Sequence, residues 1–121
     1  MRDDFAKGAD MEITVNPAGQ QAVVVKLSGR LDLLVAADVK QRLAQVVNEG
    51  FRLIVVDMSE VSFVDSSGLG ALIGGLKAAR LAGGDLRLAS PGPQAQAMLE
   101  LTTLHRVLKP YPNVTEALQA G

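Results

Sequence analysis

Four consecutive apolar residues, Leu53-Ile54-Val55-Val56, stand between two segments whose apolar residues recur at helical spacing. A strand sends alternate side chains to opposite faces, so a run without a polar position has to be covered on both. Arg52 to Asp57 is therefore read as the central strand of a mostly parallel sheet. Upstream, Val39, Leu43, Val46 and Val47 fall at i, i+4, i+7 and i+8, one stripe of a helix from Ala36 to Glu49. Gly50 follows, where a left-handed C-terminal residue is needed. Downstream, Leu69, Leu72, Ile73, Leu76 and Ala79 mark a second helix from about Ser67 to Leu81, ended by Gly83-Gly84.

The flanks complete the alternation. Met11 to Val15 alternates apolar and polar residues, Asn16 to Gly19 supplies turn chemistry, and Ala22 to Leu27 is β-branched, which predicts an antiparallel hairpin. The segment MSEVSFVDSSG, residues 58–68, reads as a loop. Leu86 and Leu88 alternate with Asp85 and Arg87, a strand with one polar face and so a sheet partly solvated on its second side. Pro91-Gly92-Pro93 opens a short helix carrying Ala95, Met98 and Leu99. Arg106 to Lys109 reads as a short final strand halted by Pro110 and Pro112, and Asn113 with Glu116 resembles a capping box for a last helix. The order ββαβαβαβα predicts an α/β fold: one domain, a mostly parallel sheet of about five strands with the N-terminal strand antiparallel, and the helices on one face. Residues 1–10 read as a flexible extension and 11–121 as the domain.

Composition removes several function classes. A chain of 121 residues, 48% hydrophobic, can bury one core but not two. Twelve basic residues against thirteen acidic ones, spread along the chain, leave no electrostatic footprint for nucleic acid. Aromatic residues at 3% provide no stacking platform for bases. Cysteine is absent and His105 is the single histidine, which excludes disulfides, thiolate chemistry and multi-histidine metal sites. No apolar run reaches the length of a membrane span or forms a signal peptide, so a cytoplasmic protein is expected.

The densest polar constellation is Phe63-Val64-Asp65-Ser66-Ser67-Gly68-Leu69-Gly70. Asp65, Ser66 and Ser67 can each cap the following helix, but one acceptor suffices, and glycines at 68 and 70 weaken the turn they occupy. Exposed hydroxyls beside exposed backbone point to a surface that another molecule approaches. Gly70, Gly74 and Ala78 form a smooth stripe that serves either a neighbouring helix of the same chain or a partner. The glycines do not sit in a tight turn straight after a first strand, as a dinucleotide site requires. The G-x-S-x-G arrangement that would pair Ser66 or Ser67 with His105 in a hydrolase is missing, as is a P-loop lysine motif. No catalytic residue, metal or cofactor is expected.

The sequence resembles the STAS domain family, in particular the bacterial anti-sigma factor antagonists. Phe63 to Gly70 is similar to the family's F-x-D-S-S/T-G-L-G pattern, and Gly29-Arg30-Leu31-Asp32 to its G-x-L-D ending the second strand; Thr102-Thr103-Leu104-His105 stands where many relatives carry a Ser-Gly-Leu turn. The resemblance implies that Ser66 is phosphorylated by an anti-sigma factor that is itself a GHKL-type serine kinase. The unphosphorylated protein would bind that kinase and free the sigma factor, phosphorylation would end binding, and a phosphatase acting on phospho-Ser66 would reset the switch. Arg30, Asp32, Asp65, Ser66, Ser67, Gly68, Leu69 and Gly70 are the expected partner-binding residues. The alternative is a STAS docking subunit of a larger assembly, a stress-signalling scaffold or a lipid-transport complex, with no sigma factor involved.

Overall fold

A computed structural model describes residues 2–5 and 11–120. Six strands, β1 (Arg2–Phe5), β2 (Glu12–Pro17), β3 (Ala22–Leu31), β4 (Leu53–Val64), β5 (Asp85–Ala89) and β6 (Pro110–Tyr111), form one sheet in sequence order. The β1/β2 and β2/β3 pairs are antiparallel and the remaining three parallel. Four helices connect or follow them: α1 (Leu33–Asn48), α2 (Ser66–Leu81), α3 (Pro93–Leu101) and α4 (Val114–Gln119). Part of the expected extension, Arg2–Phe5, is thus an edge strand that adds a sixth member to the sheet; residues 6–10 lie outside the described residues.

The main core lies between one sheet face and the first three helices. Val23, Val25 and Leu27 of β3, Ile54, Val56 and Met58 of β4, and Leu86 and Leu88 of β5 meet Val35, Val39 and Leu43 of α1, Leu72 and Leu76 of α2, and Leu99 of α3. Leu53 to Val56 is covered on both faces, as its unbroken apolar run requires: Ile54 and Val56 join this core, and Leu53 and Val55 a smaller cluster on the other face. Gly50 has φ +103°, the left-handed turn that lets the chain leave α1 for β4.

Three expectations need correction. The segment 58–64 is not a loop, because β4 runs on to Val64 beside β3. Its apolar alternation is broken where Asp57 Oδ1 accepts the Ser59 N–H at 3.0 Å, and the pairing with β3 shifts register there. The last strand lies not at Arg106 to Lys109 but at Pro110–Tyr111, after a 3₁₀ turn, Leu104–Arg106. Pro110 is tolerated there because it opens an edge strand, and Leu88 and Ser90 donate to the carbonyls of Lys109 and Tyr111. Finally, α4 crosses the opposite sheet face, where Ala117 packs on Val55 and Ala89 with Tyr111, Val114 and Leu118 around them. Arg87 holds it: its Nη1 donates to the carbonyls of Ala117 at 2.7 Å and Ala120 at 2.6 Å.

Candidate functional site: two capped helices on one strand edge

Strands β3 and β4 run parallel, and their last rung pairs Leu31 with Val64. Each strand is followed at once by an aspartate that caps a helix. Asp32 Oδ1 accepts the Leu34 N–H at 3.0 Å, and Asp65 Oδ1 accepts the Gly68 N–H at 2.8 Å. Because the strands end at the same level, both caps and both helix starts lie side by side at the carboxyl edge of the sheet, the edge where open α/β sheets bind partners.

Asp65 joins the two starts. Its second oxygen, Oδ2, accepts the Leu33 N–H of α1 at 3.2 Å, and its own N–H donates to the Leu31 carbonyl at 3.2 Å. A single carboxylate therefore satisfies free N–H groups of two helices. Gly68 completes the joint: it is buried, and a methyl group on it would collide with the Leu31 carbonyl oxygen. Opposite, the Arg30 guanidinium lies 4.4 Å from the centre of the Phe63 ring, with its Nε 3.4 Å from Asp32 Oδ2. These partners neighbour each other because Arg30 and Phe63 are register partners.

Of the three candidate caps, Asp65 takes the role, which leaves both serines free of it. Ser66 is exposed and Ser67 half-buried at the first two positions of α2. Of the expected partner-binding set, Asp32, Asp65 and Ser67 are half-buried. Arg30, Ser66 and Gly70 are exposed, and Gly70 has nothing within 4 Å of where a methyl would stand. Leu69 is only 3% exposed and belongs to the core, and Gly68 is buried, so these two shape the site from beneath. Gly74 faces Lys40 of α1 and Ala78 packs against the core, which resolves two of the three positions of the small-residue stripe as packing within the chain and leaves Gly70 open. His105 lies in the 3₁₀ turn with Nδ1 3.4 Å from the Leu99 carbonyl.

Sequence reasoning missed Gln94. Strand β5 pairs with β4 only as far as Asp57, which leaves the end of β4 without a neighbour on that side. Gln94, in the first turn of α3, replaces the missing strand: Val64 N–H donates to its Oε1 at 2.9 Å and its Nε2 donates to the Val64 carbonyl at 2.8 Å. A lone glutamine after Pro93 carries no signal for this in the sequence.

The STAS domain family pattern matches residues 11–117. Over 75 residues, 62% of this chain and 66% of the relative, the sequence is 33% identical to a candidate anti-sigma factor antagonist of Thermotoga maritima. Over 97 residues, 79% of this chain and 83% of the relative, it is 28% identical to the anti-sigma F factor antagonist of Paenibacillus polymyxa. A crystal structure of a candidate anti-sigma factor antagonist from Thermotoga maritima superposes with a TM-score of 0.82 at 27% identity, covering 88% of this chain and 92% of that one. Anti-sigma factor antagonists are regulatory proteins, not enzymes. This chain belongs to the STAS domain family, among the anti-sigma factor antagonists.

Proposed function

We propose that this chain is a cytoplasmic, phosphorylation-controlled antagonist: unmodified, it binds an anti-sigma factor that is also a GHKL-type serine kinase, and so frees the sigma factor. Phosphorylation of Ser66 by that kinase ends the complex, and a phosphatase restores it. The observation that carries this reading is the division of labour between Asp65 and Ser66. Asp65 caps α2 and also bonds the start of α1, and Ser66 stands exposed beside it with no hydrogen bond of its own hydroxyl among the described residues. Esterifying that hydroxyl breaks no described hydrogen bond of its side chain.

A phosphate here adds about 1.5 to 2 negative charges. The N-terminus of α2 tolerates such charge, because its dipole and free N–H groups favour anions. The added charge therefore bears on the partner more than on the fold. Docking has to desolvate a dianion or leave a gap around it, and either outcome weakens the complex.

Incubation with the organism's anti-sigma factor and labelled ATP, followed by site mapping, tests the reading. Label is expected on Ser66 alone, with Ser66→Ala binding the kinase but taking up none. Label on Ser67, or none on a protein that binds, would refute the assignment. Tight binding without any phosphate transfer would favour a docking subunit of a larger assembly.

A further inference from the structure

We propose that Leu33 and Leu34, at the first two positions of α1, are the apolar anchors by which the anti-sigma factor grips this protein; the inference rests on the phosphoswitch reading above and names the chemistry of its partner. Both side chains are 72% exposed. The first turn of a helix gains from acidic or small polar residues, which satisfy free N–H groups and the dipole, and two leucines there contribute neither. Nor do they serve the core, which takes Val35 and Val39 from the same helix.

Their position ties them to Ser66. The Leu33 N–H is bonded to the carboxylate of Asp65, the residue before Ser66. A stable interface covers roughly 800 Å² on each partner, a patch of roughly 16 Å radius. A patch of that size centred on Ser66 takes in Leu33, whose N–H meets the neighbouring Asp65, and the adjoining Leu34.

The charges around them identify what the partner presents. Asp65 spends both oxygens on helix N–H groups, and Asp32 divides its own between Leu34 N–H and Arg30. With both carboxylates engaged, the exposed groups at this edge include two leucine side chains, the Ser66 hydroxyl, the bare backbone of Gly70 and the Arg30 guanidinium, whose side chain is 62% exposed even with its Nε 3.4 Å from Asp32. The complementary surface is an apolar depression deep enough for two leucines, with a carboxylate on its rim opposite Arg30. Such a surface also gives the switch its direction. A phosphate on Ser66 would enter an apolar contact that also carries the partner's carboxylate, a like charge, and would have to shed water to fit there.

The test compares wild type, the double variant Leu33→Ala/Leu34→Ala and the remote variant Leu81→Ala, altered at a residue 91% exposed near the far end of α2. Affinity for the anti-sigma factor is read by calorimetry alongside thermal unfolding. The double variant is expected to bind at least 30-fold more weakly while unfolding within a few degrees of wild type, and Leu81→Ala to bind normally. Arg30→Glu is expected to slow association. If wild type binds and the double variant binds within threefold of it, the anchors are elsewhere and the inference falls. If sedimentation shows instead that the leucines hold two copies of this chain together, it also falls. Failure of wild type to bind or be phosphorylated would refute the phosphoswitch itself, a distinguishable result.

Discussion

At the scale of single residues, Asp65 carries more of the site than any other side chain, because one carboxylate accepts from two helices. Asparagine in its place can still accept the Gly68 N–H through its one carbonyl oxygen, but its amide nitrogen cannot accept from Leu33. Asp65→Asn should therefore cost about 1 kcal/mol and Asp65→Ala about 2 kcal/mol, measured by urea unfolding. Equal losses for the two would show that the bond to Gly68 contributes nothing, and no loss for Asp65→Asn that the bond to Leu33 contributes nothing. A second residue works against its own backbone. Thr103 sits at φ +57°, in the left-handed region that a β-branched side chain resists. It falls within the segment where the family pattern has its Ser-Gly-Leu turn. Thr103→Gly should raise stability by about 0.5 to 1 kcal/mol, the relief of strain exceeding the entropy glycine loses on folding. A lower unfolding midpoint would show that Thr103 makes a compensating contact, for which its hydroxyl donating to the Thr102 carbonyl is the one hydrogen bond at hand.

At the scale of elements, α4 is held by few contacts, a small apolar cluster around Ala117 and two bonds from Arg87 to its last carbonyls. Arg87→Ala should loosen α4 without disturbing the Ser66 edge: amide exchange across Val114–Gln119 should speed up roughly tenfold, the equivalent of about 1.4 kcal/mol, with Leu33 and Gly68 amides unchanged. Uniform acceleration over the whole domain would mean that α4 is part of the global unit. The same arginine shows what the sequence could reveal. Its alternation with Leu86 and Leu88 identified a strand and a polar face, yet nothing local told whether that face met water or the carbonyls of a helix thirty residues on. The two aspartate caps were legible because capping is a short-range pattern. That both meet at one carboxyl edge follows from parallel strands ending there, as the structure bears out, but the shared rung that puts them in contact was hidden, since it depends on β4 running through 58–64, and the bulge at Asp57 scrambles the alternation that would have revealed this. Gln94 was hidden for the same reason: it replaces a strand neighbour, a role set by where β5 stops.

At the scale of the whole molecule, the phosphoswitch reading requires a rigid platform. Ser66 stands over parallel strands whose inner face is filled by Val25, Leu27, Val56 and Met58, each no more than 1% exposed. Close-packed cores shift between discrete arrangements and do not deform gradually, so a charge added at their edge is expected to leave the packing as it is. The modification should act at the interface and leave the fold as it is. The most direct measurement of that claim is the affinity of the anti-sigma factor for unmodified and Ser66-phosphorylated protein, taken by calorimetry with thermal unfolding of both. The account predicts a loss of affinity of at least 100-fold, about 2.7 kcal/mol, with the unfolding midpoint moved by no more than a few degrees. Equal affinity for the two forms would contradict it.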